Sequence, residues 1–322
     1  MSAPRRRGWG RLATERVHPR SAHLDRLGVA AIVALMQSED LRILSALSRA
    51  RSAIVRAAEA FRETYAGGGT CLLFGAGTSG RLAVLEAAEL PPTFGTDPRR
   101  VRAIVAGGRG AVFRAREGAE DAEREGARLA RSVGAGDLVI GVSASAVTPF
   151  VRGALSTGRR RGARTVLVTA AARADTRGVA SIVVALAVGP EVVAGSTRLK
   201  AGTATKLALN QITTSALASS GRVFGPWMVD LSTGSAKLTD RAIRTVSAAA
   251  GVAPASAKRL LRHARNDVRT AIYVGLRGGN AAEARAALEG SGGDLRTALE
   301  QSDRVRKAGR ARGGRRPRRA RR

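Results

Sequence analysis

The 322-residue sequence predicts an α/β protein: a parallel sheet flanked by helices, with helices ahead of the sheet and a small all-α module behind it. Three observations carry that expectation. Five short apolar runs, Thr70–Phe74, Val101–Ala106, Asp137–Val142, Arg164–Thr169 and Ser181–Val188, alternate with helical segments, the pattern of buried parallel strands joined by crossovers. A glycine-rich turn, Gly75-Ala76-Gly77-Thr78-Ser79-Gly80-Arg81, links the first run to the helical run Leu82–Leu90. From about Lys237 the pattern changes to short helical stretches separated by Gly, Pro and Asn.

In chain order, residues 1–11 form a basic segment expected to be disordered. Residues 12–66 read as a helical segment packing on the core. Its first helix covers Leu24–Met36, and Ser38-Glu39-Asp40 supplies an N-cap and acidic first turn for a second helix reaching Thr64. Gly67-Gly68-Gly69 breaks that pattern and opens the sheet domain, residues 67–236, in which Pro91-Pro92 is expected to end the helix after the glycine-rich turn. Residues 237–300 read as five short helices, Asp240–Gly251, Pro254–Ala264, Val268–Leu276, Ala281–Leu288 and Gly293–Leu299. Residues 301–322 form an Arg-rich tail expected to be disordered.

Composition excludes several classes. No uncharged apolar run reaches the roughly 18 residues of a membrane span. No apolar stretch with a small-residue cleavage site follows the basic N-terminus, so the cytoplasm is the expected compartment. The single cysteine, Cys71, rules out an intramolecular disulfide and a cysteine-based zinc cluster, and its apolar surroundings mark a buried structural thiol. His18 and His23 lie five apart and His263 sits on a basic helix, so no metal site is expected. The net charge of +30 is partly local: Arg304–Arg322 holds eleven Arg and Lys and no Asp or Glu. Such a tail suits non-specific polyanion binding by counterion release, while an aromatic content of 3% offers no stacking platform for a dedicated nucleic-acid function.

The turn after the first strand is built to approach an anion. Gly77 frees the backbone, Thr78 and Ser79 offer hydroxyls, and the helix N-terminus attracts negative charge. It lacks the Gly-Lys-Ser/Thr ending of a nucleotide P-loop and the full dinucleotide glycine spacing, which favours a phosphorylated small molecule. Taken alone, such a turn also reads as a tight strand-to-helix connection. A second hydroxyl-bearing loop, Ser143-Ala144-Ser145-Ala146-Val147-Thr148-Pro149, follows the third strand, and a parallel sheet puts both loops on one edge. After the fifth strand, Gly195–Thr203 leads into a long helix. Ser196 and Thr197 suit its cap, and Lys200 or Arg198 suits phosphate neutralisation or sugar binding; a capped helix with a solvated basic first turn is the alternative. Glu89, on the helix entered from the glycine-rich turn, and Glu120, within Glu117-Gly118-Ala119-Glu120-Asp121, are surface acids by spacing alone. Brought near one sugar phosphate, the two carboxylates can serve as general acid and base.

These segments together resemble one family, the N-acetylmuramic acid 6-phosphate etherases, over roughly Leu12–Leu299. The resemblance rests on Thr14-Glu15, Leu24-Asp25, Gly75–Leu82, Pro91-Pro92-Thr93-Phe94-Gly95, Ile104–Gly108, Glu117–Asp121, Gly189-Pro190-Glu191-Val192-Val193, Gly195–Thr203, Lys206-Leu207, Leu209-Asn210 and Met228-Val229-Asp230. It implies a sugar isomerase (SIS) fold with the helical C-terminal module and a homodimer in which both protomers shape the site. It also implies a carbon–oxygen lyase that uses no cofactor and releases D-lactate from N-acetylmuramic acid 6-phosphate, leaving N-acetylglucosamine 6-phosphate, in cell-wall amino-sugar recycling. By the same resemblance Glu89 is the proton donor and Glu120 the acid/base at C2, with Gly77, Thr78, Ser79, Ser145, Thr148, Glu191, Ser196, Thr197 and Lys200 on the substrate. The chain departs from the family at Ala146 and Val147, where Gly and Arg are usual, and at His18, Leu90, Thr205 and Pro226-Trp227. A non-catalytic sugar-phosphate sensor, as in the related glucokinase regulatory proteins, and an enzyme for another phosphosugar are the alternatives that the altered loop leaves open.

Overall fold

A computed structural model describes residues 10, 12–171, 176, 178–231 and 233–313; the rest of the two basic terminal segments lies outside the described residues. The chain divides into two compact units, Met1–Pro91 with Thr96–Ala216, and Pro92–Gly95 with Leu217–Arg322.

The first unit begins with short 3-10 turns and a 38-residue helix α1 (Val29–Ala66), followed by β1 (Cys71–Gly75) and α2 (Gly77–Phe94). Next come β2 (Val101–Val105), α3 (Gly110–Phe113), α4 (Glu123–Leu129), β3 (Leu138–Val142), α5 (Pro149–Arg160), β4 (Arg164–Thr169), β5 (Ile182–Ala185) and α6 (Lys200–Leu217). The five strands form one parallel sheet in the order β2-β1-β3-β4-β5. Position in the sheet explains burial: every residue of the central β1 and β3 is buried, whereas the edge strands β2 and β5 are partly open. On one face Leu72, Phe74, Val139 and Leu167 pack against Phe150, Val151 and Leu155 of α5. α1 runs along β5 and reaches β1 and β3. Cys71, fully buried in β1, has its thiol pushed up to about 12 by burial, consistent with an inert structural residue.

Three expectations about helix bounds need correction. The two N-terminal helices are one, because Ser38 does not cap: its hydroxyl donates back to Leu35 O at 2.7 Å, and Glu39 turns inward to buried partners. Pro91 and Pro92 do not stop α2, which continues to Phe94 and gives way at Gly95, a glycine at φ 60. The last helix runs past residue 300, since Arg, Lys and Ala are strong helix formers and the next proline is Pro317.

The second unit adds a two-stranded antiparallel pair, β6 (Val223–Phe224) and β7 (Trp227–Met228), to helices α7 (Ala236–Ala250), α8 (Pro254–His263), α9 (Val268–Arg277), α10 (Ala281–Gly290) and α11 (Leu295–Gly313). Phe224, Met228, Val229 and Leu231 join Val246, Leu261, Ile272, Leu288 and Leu295 in its core, so this unit begins before the expected boundary at 236/237. Asp230 ties it together, accepting from Arg222 Nη1 at 3.0 Å and pairing with Arg269 Nε at 2.7 Å.

Within the first unit a buried ionic cluster fixes the N-terminal segment. Glu39, 2% exposed, pairs with Lys200 Nζ at 2.7 Å, His18 Nε2 at 3.2 Å, Arg20 at 3.2 Å and Arg42 at 3.1 Å. Burial alone would raise the Glu39 pKa, but the hydrogen bond and charge of Lys200, with His18 and Arg42, outweigh it and hold the carboxyl below its ordinary value. Glu39→Ala strands buried Lys200 and is expected to cost about 3–5 kcal/mol in urea unfolding. Because the folded-state pKa is depressed, the pair's stabilisation is complete above the ordinary glutamate range and lost as pH falls through the folded value. A Tm series on acidification should show that loss in the parent and a flatter profile in Glu39→Gln.

Candidate active site

A cavity of about 350 Å³ opens at the carboxyl ends of β1, β2 and β3. It sits where the strand order reverses between β1 and β3, the place where open parallel sheets bind ligands. One wall is the first turn of α2. Gly75 and Gly80 bring the strand and the helix into contact: a Cβ on Gly80 would lie 2.8 Å from Gly75 O and 2.7 Å from Val105 Cγ1. That closeness sets Gly77, Thr78, Ser79 and Arg81 on the cavity wall.

The second wall is the loop after β3. Ser145 and Thr148 line the cavity, and Thr148 Oγ1 lies 2.7 Å from Ser143 Oγ, so a buried hydroxyl positions a reachable one. Ala146 has φ 63, the left-handed region an alanine rarely occupies, which gives the usual glycine at this position its physical reason. Its methyl is buried in the core shared by Phe74 and Phe150.

The third wall comes from three distant segments: Thr197 before α6, Thr14 and Glu15 of the N-terminal turn, and Arg116, Glu117 and Glu120 after α3. Gly195 N donates to Thr14 O at 3.0 Å, joining two of these segments.

Among the expected site residues, the cavity gathers Gly77, Thr78, Ser79, Glu120, Ser145, Thr148 and Thr197. Four others stand elsewhere. Lys200 is 2% exposed, with Nζ on Glu39 Oε2 and on Pro190 O at 2.9 Å, so its charge is used inside the fold. Glu191, 1% exposed, accepts from Lys200 N at 3.2 Å and Ala201 N at 2.8 Å; it caps α6 in place of Ser196 and Thr197. Burial pushes the Glu191 pKa up, against those backbone hydrogen bonds. Ser196 lies outside the lining, half-buried in the turn before α6. Glu89 is exposed, eight residues beyond Arg81 on α2 and therefore about 12 Å along the helix from the cavity wall.

The residues of the site that sequence reasoning passed over are Arg81, Arg116, Thr14, Glu15 and Glu117. Arg81, Thr14, Glu15 and Glu117 stood in segments already singled out, whereas Arg116 did not, and their convergence on one cavity depends on the pairing of β1 with β2. Glu86 is also new: buried on α2, it accepts from Thr213 Oγ1, and burial raises its pKa. Among the described residues no group of three His, Cys, Asp or Glu side chains is placed to hold a metal ion. No described helix is long and apolar enough to cross a membrane.

The sheet order, the helical cover and the hydroxyl-rich cavity at the carboxyl edge define a SIS-fold domain. The family model of the glucokinase regulatory protein N-terminal SIS domain matches residues 53–159. The N-acetylmuramic acid 6-phosphate etherase of Picosynechococcus sp. is 40% identical over 293 residues, covering 90% of this chain and 97% of the relative. That of Salinibacter ruber is 42% identical over 292 residues, covering 90% and 94%. Among solved structures, a phosphoheptose isomerase from Neisseria gonorrhoeae aligns over 59% of this chain and all of its own, at 17% identity and a TM-score of 0.44. The chain belongs to the N-acetylmuramic acid 6-phosphate etherase family.

The strain at Ala146 is testable by itself. The left-handed conformation costs a non-glycine residue about 1–2 kcal/mol, and the buried methyl returns about 0.8 kcal/mol. Ala146→Gly is therefore expected to stabilise the protein by a few tenths to about 1 kcal/mol in thermal unfolding, the glycine's greater freedom in the unfolded chain offsetting part of the relief. A lower Tm would mean that the methyl's packing outweighs the backbone strain.

Proposed function

We propose that this protein is a cytoplasmic carbon–oxygen lyase that removes the D-lactyl ether from C3 of N-acetylmuramic acid 6-phosphate, working as a homodimer without a cofactor. The observation that carries this reading is the cavity itself, which joins an anion-binding helix turn, hydroxyls and the carboxylate of Glu120 in a member of the etherase family. In the open-chain sugar the C1 aldehyde acidifies the C2 proton. Glu120 removes that proton, the electron pair forms the enolate, and the C3–oxygen bond breaks as the lactyl oxygen takes a proton from Glu89. Water then adds at C3 of the unsaturated aldehyde, giving N-acetylglucosamine 6-phosphate and D-lactate. Acid and base suffice for both steps.

Glu89 stands about 12 Å along α2 beyond Arg81, the last residue of that helix on its own cavity wall, so the reading assigns it to the cavity of the partner protomer. The exposed apolar residues Leu41, Leu44 and Val55 on α1 and Leu85 on α2 supply surface suited to a protein contact. The sensor alternative has no comparable support: relatives matched over nine tenths of the chain are named etherases, and the regulatory-protein match covers only residues 53–159.

D-lactate release is the direct measurement, expected in the parent and lost in Glu89→Gln and Glu120→Gln. Mixing and reassembling the two inactive variants should restore about a quarter of the parent's activity, because each mixed two-fold dimer holds one intact site. No recovery on mixing would place both glutamates in one protomer's site, and no release by the parent would sink the etherase reading.

The Arg-rich tail is read as an accessory polyanion-binding segment. Cutting the chain after Asp303 is expected to abolish salt-sensitive heparin binding and leave D-lactate release intact. Heparin binding that survives the cut would assign it to the folded units.

A further inference from the structure

The cavity's lining mixes cationic and anionic side chains. Two guanidinium groups line it, Arg81 and Arg116. Each is held by one hydrogen bond to a backbone carbonyl, Arg81 Nε to Val112 O at 2.7 Å and Arg116 Nη1 to Gly107 O at 3.0 Å. Among the described residues neither is paired with a carboxylate, although Glu15, Glu117 and Glu120 line the same cavity. Arg116 is also seated. A Cβ on Gly107 would lie 3.1 Å from its Cδ, and one on Gly110 would lie 3.2 Å from its Nη2, so two glycines leave the channel its side chain occupies. An arginine has five N–H donors, and this placement leaves most of the fork for a ligand.

The substrate read above has two anionic groups at different ends of the sugar, the phosphate on C6 and the carboxylate of the lactyl ether on C3. Arg81 follows the first turn of α2, which carries Thr78 and Ser79, the natural place for the phosphate. Arg116 lies four residues before Glu120, the base at C2, and C2 is bonded to C3. Only one substituent near that carbon is anionic. We propose that Arg116 binds the lactyl carboxylate and thereby separates a lactyl-ether sugar phosphate from a phosphosugar that lacks the ether; this rests on the etherase reading. The planar fork suits a carboxylate bidentately, and the contact fixes the ether oxygen before the C3–oxygen bond breaks. The charge on the carboxylate does not change during elimination, so this contact acts mainly on binding.

Calorimetric titration in the Glu120→Gln background, where turnover is blocked, isolates that contact. Arg116→Ala should weaken N-acetylmuramic acid 6-phosphate about tenfold or more and leave N-acetylglucosamine 6-phosphate within about twofold, with Arg116→Lys intermediate for the first ligand. Equal weakening of both ligands would assign Arg116 to the phosphate or to the fold, and no weakening of either would remove it from the site; both results overturn the proposal. D-lactate release by the parent is followed in parallel. A parent that releases none but loses its discrimination with Arg116→Ala overturns the etherase reading and keeps the carboxylate contact, whereas a parent that binds neither ligand overturns both.

Discussion

The buried pair of Glu39 and Lys200 is the contact on which the site's third wall depends. Glu39 belongs to the first third of α1, and Lys200 is the first residue of α6. Their contact at 2.7 Å joins elements 161 residues apart. His18 and Arg20 reach the same carboxylate, which places the N-terminal turn bearing Thr14 and Glu15. Glu191 caps the same end of α6, which places the turn bearing Thr197. A buried ion pair is a poor source of net stability against a hydrophobic alternative, but leaving one partner unpaired is severe. Its consequence here is positional, since chain segments with little apolar surface of their own are held in register at a cavity.

That arrangement divides charged residues into two kinds. Lys200, Glu39 and Glu191 are desolvated and fully partnered, so their charge is consumed by the fold. Arg81, Arg116 and Glu120 are at a solvent-reached wall. An elimination that needs only proton transfers and anion binding requires the second kind alone. The first kind holds together the chain segments that frame the cavity.

The fold was legible because its signals are local. A central parallel strand is apolar along its whole length, and β1, β3 and β4 lie within a residue of the runs that predicted them. The glycine-rich turn was legible for a similar reason: Gly75 and Gly80 have no steric alternative. Lys200 and Glu191 were misassigned because a cation or a carboxylate at a helix start looks the same in sequence whether it faces a ligand or a helix 161 residues away. Ser38 misled likewise, since a serine before two acids fits a cap until its hydroxyl turns back to Leu35. Arg116 lacked a signal because its neighbours in sequence, Ala115 and Glu117, give no indication of the channel over Gly107 and Gly110.

The altered loop after β3 looks more damaging in sequence than in three dimensions. Ala146 stands where the family usually has glycine, and its φ of 63 is a conformation that glycine adopts readily, so the change shows as backbone strain. The hydroxyls on either side are retained, with Ser145 and Thr148 on the cavity wall and Ser143 bonded to Thr148. Val147 does not line the cavity, so the arginine usual at that position has no counterpart on this wall. The positive charge of the site comes instead from Arg81 and Arg116, which approach from α2 and from the segment after α3. Loss of an arginine from one loop therefore leaves the cavity with hydroxyls, a helix N-terminus and two guanidinium groups, the chemistry a doubly anionic sugar requires.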